Sequence, residues 1–295
     1  MLTLATPPSA TLDPANPKPG IYSGVPFDVY KSINALNHSS LKKIANSPAH
    51  YLWATQHPED NKETDSKRLG TAEHCLLLEP ARFERDVIPA PINPKTGRAY
   101  GGDTQAWAKY AEENPGKIIV SDEEMIRLRG MAASVMDHSL ARQILSAAGD
   151  NEITMIWTDE ATGLVCKGRV DSRRPSLGLR VDIKTCEDAS EPGMARAMVN
   201  YGYETAAAFY ARGAEALGIE NETHVLLCIE SAGPFAIGVY RVADETFKIG
   251  AQRVSEWMAT LKKCMDTNHW PAYSDRIVDL EAPGFYLTRW SNGEF

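Results

Sequence analysis

Two aspartates and a lysine stand out within one short stretch of this 295-residue chain. Asp171 ends one predicted strand, "LVCKGRVD", and Asp182 and Lys184 lie in the next, "LGLRVDIKT". Because side chains alternate along a strand, Asp182 and Lys184 point the same way and Ile183 points the other way. If the two strands pair, Asp171 approaches Asp182, and two carboxylates so close repel unless they share a cation.

Mg²⁺ or Mn²⁺ is the natural cation for such a pair, because hard divalent ions prefer oxygen ligands. A lysine beside that ion could orient or deprotonate water, or stabilise negative charge that develops on a phosphate. The competing interpretation is a salt bridge between Asp182 and Lys184 on a solvated strand edge. The apolar neighbours Val181 and Ile183 weaken that interpretation, and the residues alone leave the two in balance.

The remaining sequence predicts the elements that must position these residues. A helix begins at residues 37–40 and a second follows Pro48. Leucine-rich residues 65–87 predict a helix closed by Pro80, and residues 121–145 predict another with Ser121 as its N-cap. The later segments alternate between strand and helix: strands near 152–158, 164–174 and 177–186, a helix at 191–218 broken near Gly202, a hairpin at 223–242 and a closing helix at 243–265.

This order, helices followed by β-β-β-α-β-β-α, indicates an α/β fold with a mixed central sheet flanked by helices. Residues 1–27, rich in proline, alanine and threonine, predict a poorly ordered lead-in. We expect residues 28–295 to form a single domain. Its helical N-terminal part would cover about 28–150, and its sheet-containing core about 151–270.

Composition narrows the possible functions. The net charge of -8 excludes indiscriminate binding to polyanions, so a nucleic-acid site must be local or use metal ions. The five cysteines show no zinc or iron–sulfur spacing and suggest reduced thiols in the cytoplasm. No basic, apolar leader opens the chain, and no run of about 18 apolar residues predicts a membrane span.

Four motifs in order carry a family resemblance. "GRVDS" and "VDIKT" resemble the split motif of the PD-(D/E)xK nuclease superfamily. "NHSSLKKIANSPAHY" and "LGTAEHCLLLEPARF" resemble the upstream motifs of its exodeoxyribonuclease VIII branch, the RecE-type phage and prophage nucleases. The helix "NYGYETAAAFYARGAEAL" matches that branch in position and character. The resemblance runs from about Ile33 to the closing helix and implies a restriction-endonuclease-like core.

By this resemblance, His74, Asp171 and Asp182 would bind Mg²⁺ or Mn²⁺, with the carbonyl of Ile183 as a further ligand. Asp171, Asp182 and Lys184 would form the catalytic set. Without the resemblance, a lone helical histidine such as His74 is more often a structural hydrogen-bonding residue.

The chain departs from the family pattern at one position. Related nucleases commonly carry a glutamine four residues before a tyrosine, and this pair contacts DNA or orients the site. Tyr210 stands in the tyrosine position, but Ala206 replaces the glutamine. We therefore expect either weakened activity or a substitute polar contact from Glu204 or Tyr203.

A group of arginines surrounds the motif: Arg169, Arg173, Arg174 and Arg180. Taken singly, each is as well explained as a solvated strand end. As a group beside a phosphate-cleaving site they predict phosphate contacts.

The resemblance implies a metal-dependent exonuclease that degrades linear double-stranded DNA from its ends, 5′ to 3′, to leave single-stranded tails for recombination. It also implies a single-strand annealing protein as partner and a ring-like homo-oligomer in the cytoplasm of a bacterial host. Two alternatives stay open. One is a non-catalytic DNA-end-binding or recombination scaffold protein on a decayed nuclease fold, and the other is a metal-dependent hydrolase of small phosphoesters.

Overall fold

The structure is a computed structural model that describes residues 12–57 and 65–294. Its regular elements, numbered in chain order within these ranges, fall into a mostly helical first half and an alternating second half. They are β1 (Gly20–Tyr22), α1 (Phe27–Ser32), α2 (His38–Leu41), α3 (Pro48–Gln56), α4 (Asp65–Leu78), α5 (Pro80–Asp86), β2 (Val87–Pro89), α6 (Gln105–Glu113), β3 (Ile118–Val120), α7 (Asp122–Asp137), α8 (Ser139–Ser146), β4 (Asp150–Thr158), β5 (Val165–Arg174), β6 (Leu179–Cys186), α9 (Glu191–Tyr201), α10 (Tyr203–Ala216), β7 (Thr223–Glu230), β8 (Ile237–Arg241), α11 (Asp244–Thr267) and α12 (Gly284–Ser291).

A six-stranded sheet forms the centre of the fold, in the order β1-β4-β5-β6-β7-β8. The β6–β7 pair is parallel, and the other neighbouring pairs are antiparallel. Parallel neighbours need a crossover connection, and the chain between β6 and β7 supplies it through α9 and α10. The prediction of an α/β fold with a mixed sheet flanked by helices is therefore confirmed. A second, two-stranded sheet of β2 and β3 was not predicted.

Helices cover both faces of β6 and β7. Val181 and Ile183 of β6 belong to an apolar cluster with α4, α7 and α8, and β7 contributes Leu227 and Ile229 to it. The alternate residues of β7, among them Leu226, pack with residues of α9 on the other face. Strand alternation therefore buries every second residue of β6 under the α4 layer, and Asp182 and Lys184 lie on the side away from it.

A third cluster joins the other half of the sheet to α10 and α11. Trp157 of β4 meets Phe209 of α10 edge to face, with ring centroids 4.9 Å apart. Trp257 of α11 belongs to the same cluster. This packing fixes α10 over β4 and β5, and Tyr210 follows Phe209 on that helix.

Local sequence signals place several helix ends. Ser121 accepts a hydrogen bond from the backbone of Glu124, whose side chain accepts one from the Ser121 backbone, so the predicted N-cap is confirmed as a reciprocal capping box. Gly202 separates α9 from α10 with a φ of 72°, a conformation that glycine adopts without strain. Pro80 follows the end of α4, as expected, but it also starts α5, because proline is well suited to the first turn of a helix.

The two ends of the chain differ from expectation where the structure describes them. The predicted lead-in includes β1, whose residues 20–22 pair antiparallel with β4, because the open edge of that strand supplies hydrogen-bonding partners. The first eleven residues of the lead-in lie outside the described residues. Helix α12 lies beyond the predicted closing helix. Among the described residues, no helix is both long enough and apolar enough to cross a membrane.

Candidate metal centre

Asp171 lies where the β5–β6 ladder ends. The antiparallel pairing of these strands covers residues 172–174 and 179–181. Just beyond it, the Oδ2 atom of Asp171 accepts a hydrogen bond from the backbone N–H of Ile183 at 2.8 Å. Asp171 and Asp182 both line one small cavity of about 10 Å³. The predicted approach of these two carboxylates thus has a structural basis in the strand pairing.

Asp182 and Lys184 are in direct contact. The Nζ atom of Lys184 lies 2.6 Å from Oδ1 of Asp182, as expected for neighbours on one side of a strand. Their side chains are only 16% and 26% exposed, which does not fit a salt bridge on a solvated edge. On the other side, Nε2 of His224 lies 3.8 Å from Oδ2 of Asp182.

Helix α4 brings His74 to the same place. Ala72, Cys75 and Leu78 of this helix are buried against the sheet, which fixes the helix beside β6. The Nε2 atom of His74 then lies 3.3 Å from the carbonyl oxygen of Ile183 and 3.8 Å from Oδ2 of Asp171. Three of the four predicted ligands therefore lie together, since the Asp171 carboxylate and the Ile183 carbonyl are both close to Nε2 of His74.

A further carboxylate, that of Glu152, lies at the site and was not among the predicted residues. Its Oε1 atom lies 3.5 Å from Nδ1 of His74, and its Oε2 atom lies 2.5 Å from Nε of Arg169. His74, Glu152 and Asp171 form a group whose candidate ligand atoms all lie within 4.8 Å of one another. The available signal was an acid at the start of the apolar run "EITMIW", opposite Asp171 when β4 and β5 are aligned.

The electrostatics of the site reflect charges buried close together. Burial raises the pKa of Asp171 to about 7, and Asp182 adds to the rise while His74 opposes it. Burial alone would lower the pKa of His74, but the carboxylates of Asp171 and Glu152 outweigh burial and raise that pKa to about 9. A buried carboxyl whose pKa is raised partly by a second carboxylate is a group that a shared cation would stabilise.

The Asp182–Lys184 pair behaves differently. Burial alone would raise the pKa of Asp182, but the ammonium of Lys184 and the neighbouring His224 hold it well below its usual range. Burial likewise opposes the charge on Lys184, yet Asp182 and Asp171 raise its pKa above the ordinary value. Both groups are therefore ionised at neutral pH.

The donor set fits a hard divalent cation. It offers carboxylate oxygens of Asp171 and Asp182, the carbonyl oxygen of Ile183 and one imidazole nitrogen of His74, and Mg²⁺ and Mn²⁺ accept such ligands. These four residues would hold the ion, and the carboxylates give the site the negative charge that an ion would offset.

The arginines predicted to contact phosphate make hydrogen bonds and ion pairs with other residues of the protein. The Arg169 guanidinium binds Glu152 and the carbonyl of Val25, and Arg173 binds Glu222 at 2.5 Å. Phosphate contact stays a prediction for these two residues. The structure gives each of them a buried or partly buried ion pair instead.

Arg174 and Arg180 are more deeply buried, at 3% exposed each. The guanidinium of Arg174 donates to backbone carbonyls of residues 144, 145, 150 and 173 and to the side chain of Asn151. Arg180 donates to the carbonyl of Tyr210. Arg174 thus joins α8 to the β4–β5 pair, a role that the sequence pattern did not indicate.

Tyr210 and the glutamine position lie on α10. The hydroxyl of Tyr210 donates to the carbonyl of Arg169 at 3.0 Å, and its ring stacks on His224. Ala206 is buried. Of the two expected substitutes, Glu204 pairs with Arg253 at 2.7 Å, whereas the ring of Tyr203 lies 5.3 Å from Nζ of Lys184. Tyr203 is therefore the one of the two that lies beside Lys184.

Comparisons with known proteins agree with this architecture. The family described as "PDDEXK-like domain of unknown function (DUF3799)" matches residues 37–281. A solved structure from Eubacterium rectale, named "Putative exonuclease", is similar with a TM-score of 0.55 at 12% sequence identity, over 86% of this chain and 92% of that one. At this identity the likeness concerns the fold. No curated protein matches the sequence. Because the match covers most of the chain, the protein belongs to the DUF3799 family of PDDEXK-like domains.

Proposed function

We propose that this protein is a divalent-metal-dependent nuclease that degrades linear double-stranded DNA from its ends, 5′ to 3′. The observation that carries the proposal is the convergence of His74, Asp171 and the Ile183 carbonyl beside the Asp182–Lys184 pair. The family match and the fold shared with a protein named as an exonuclease support nuclease chemistry. The polarity and the RecE-type assignment derive from the sequence resemblance.

The chemistry is hydrolysis of a phosphodiester: water attacks phosphorus and loses a proton to solvent, the P–O bond to the leaving strand breaks, and the leaving oxygen takes up a proton from solvent. A divalent cation in the site supplies positive charge against the negative charge that develops on the phosphate. Asp171, Asp182, His74 and Ile183 would hold that cation. The ligands come from α4, β5 and β6, so the packing of these elements sets the site geometry.

Lys184 acts as a cation rather than a base in this proposal. Its pKa is raised by Asp182 and Asp171, so the side chain is an ammonium at neutral pH and cannot accept a proton from water. An ammonium donates hydrogen bonds, and it can stabilise a phosphate oxygen that gains charge in the transition state. Asp182 keeps it in place at 2.6 Å.

The test is an incubation of linear duplex DNA with Mg²⁺ or Mn²⁺. The wild type should release nucleotides from linear but not from closed circular duplex, and Asp182→Ala should release none. Equal release by wild type and Asp182→Ala would overturn the site. Cleavage of closed circular DNA would instead indicate an endonuclease. Comparing the release of label from 5′-labelled and 3′-labelled duplexes gives the polarity of degradation.

One observation favours a second candidate, a DNA-end-binding or recombination scaffold protein without catalysis. On α10 the buried Ala206 stands where related nucleases have a glutamine, and Glu204 is paired with Arg253. Duplex-end binding without cleavage across several metals and end structures would favour this candidate. The retained Asp171, Asp182 and Lys184 favour the nuclease.

We further propose, from the resemblance, that the protein acts in the cytoplasm of a bacterial host with a single-strand annealing protein and forms a homo-oligomer around DNA. The five cysteines are free thiols, in keeping with a reducing compartment. Sedimentation with and without DNA tests the oligomer. Co-purification from the native host tests the partner.

A further inference from the structure

Glu152 occupies an unusual backbone position in the sheet. It lies between the β4–β5 pairs Asn151–Ser172 and Ile153–Val170, so it is opposite Asp171 in the strand alignment. Its φ is 52°, in the left-handed region that residues other than glycine rarely adopt. Backbone outliers of this kind are concentrated at functional sites. Here the outlier lies beside the candidate metal centre.

Each carboxylate oxygen of Glu152 faces a nitrogen atom of another side chain. Oε2 accepts a hydrogen bond from Nε of Arg169 at 2.5 Å, and Arg169 is itself anchored to the carbonyl of Val25 at 2.7 Å. Oε1 lies 3.5 Å from Nδ1 of His74. Glu152 is only 9% exposed, so water competes little for these contacts. The carboxylate is therefore held from one side and presented to the imidazole on the other.

The two nitrogens of His74 face different groups. Nδ1 lies beside Glu152, whereas Nε2 lies 3.3 Å from the Ile183 carbonyl and 3.8 Å from Asp171. A neutral imidazole carries one N–H and one lone pair. If Nδ1 carries the hydrogen and donates it to Glu152, the lone pair of Nε2 is directed toward the other candidate ligands. Metal-binding histidines commonly use a carboxylate in this way.

We propose that Glu152 is a positioning residue: it accepts the Nδ1–H of His74 and so presents Nε2 to the metal. Glu152 faces the ring nitrogen that lies away from Asp171, which distinguishes this role from direct metal ligation. The proposal rests on the proposed function, because it assigns Glu152 a role in the same metal centre. It also explains why the side chain of Arg169 is directed at Glu152 and is only 11% exposed.

The first experiment measures Mn²⁺ affinity by calorimetry on the full chain. Glu152→Leu, which has no acceptor, should weaken binding about 10- to 100-fold with unchanged stoichiometry. Glu152→Gln keeps an acceptor oxygen and should retain most of the affinity. Equal, complete loss in both variants would identify Glu152 as a direct ligand and overturn the positioning role, as would unchanged affinity in Glu152→Leu.

Glu222→Leu is the matched control for Glu152→Leu, because Glu222 also pairs with an arginine, Arg173, at 2.5 Å and its side chain is 4% exposed. This variant removes a comparable ion pair without contacting His74 in the described structure. It should leave Mn²⁺ affinity unchanged, while thermal unfolding reports any loss of stability. An equal loss of affinity in Glu222→Leu would mean that the effect of Glu152→Leu is general destabilisation.

A second measurement needs no variant at Glu152. Nitrogen-15 NMR of the wild type saturated with Mg²⁺, with the His74 signals assigned by their loss in His74→Gln, reports which ring nitrogen carries hydrogen. The positioning role requires hydrogen on Nδ1 and the ion on Nε2, and the reverse overturns it. If the wild type binds no divalent ion at all, the proposed function fails; if it binds and cleaves normally but His74 ligates through Nδ1, only this inference fails.

Discussion

Metal affinity should rise steeply with pH because the buried site must lose protons to bind a cation. In the metal-free protein the pKa of His74 is about 9 and that of Asp171 about 7. Both groups bind a metal only when deprotonated. A proton on either one therefore competes with the ion, and lowering the pH through each pKa weakens binding. For both groups a higher pH raises the metal affinity, so the two effects add.

The size of the effect follows from the two pKa values. Between pH 6 and pH 9, release of the His74 proton should raise the apparent affinity about 500-fold and release of the Asp171 proton about tenfold. Together they predict an increase on the order of 10³- to 10⁴-fold. Near pH 8 mainly His74 still carries a proton, so about one proton should leave for each ion bound.

Calorimetric titration with Mn²⁺ under anaerobic conditions, in buffers of different ionisation enthalpy, measures both affinity and proton release. His74→Gln should lose the contribution of His74 to the pH dependence, whereas Asp171 keeps its own and, without the opposing charge of His74, should release its proton at a higher pH. His269→Gln changes an exposed histidine outside the site and should keep all of it. An affinity that stays constant from pH 6 to pH 9 in the wild type would refute the proposed ligand set.

Three further changes test separate parts of the structure. Lys184→Ala should slow single-turnover cleavage about 10²- to 10³-fold, since it removes the ammonium beside Asp182; an undiminished rate would contradict its catalytic role. Arg174→Ala should lower the free energy of unfolding in urea by about 2–4 kcal/mol, because it leaves several buried carbonyls unpaired. The salt dependence of its DNA binding should stay that of the wild type, and a shallower dependence would show that Arg174 contacts phosphate. Gly168→Ala should cost about 1–3 kcal/mol, because the added methyl would lie 2.5 Å from the ring of Tyr210, and an unchanged melting temperature would contradict that packing.

The order of elements in the second half of the chain could be predicted because each carries a local signal. Alternating apolar residues mark β4 to β6, Gly202 marks the break between α9 and α10, and Ser121 marks the start of α7. Strand alternation also predicts that Asp182 and Lys184 lie on one side of β6. These inferences depend only on neighbours close in sequence, where the geometry of a strand or helix is nearly fixed.

The elements that were missed depend on partners distant in sequence. Three-residue β1 is a strand only because the edge of β4 pairs with it. Glu152 is a site residue only because β4 and α4 bring it to His74. The arginines were expected at a positive surface, yet burial of Arg174 among backbone carbonyls is a tertiary feature that charge and spacing do not encode. The sequence therefore indicates which residue types could bind a metal, whereas the tertiary packing determines which of these side chains come into contact.

A crystal structure of the protein grown with Mn²⁺, with anomalous diffraction recorded for manganese, would show where the ion binds. We expect an anomalous peak within coordination distance of Nε2 of His74, the carboxylates of Asp171 and Asp182 and the Ile183 carbonyl, and its loss in Asp171→Asn. A peak elsewhere, or none at these four residues under conditions where the protein cleaves linear DNA, would contradict the proposed ligand set.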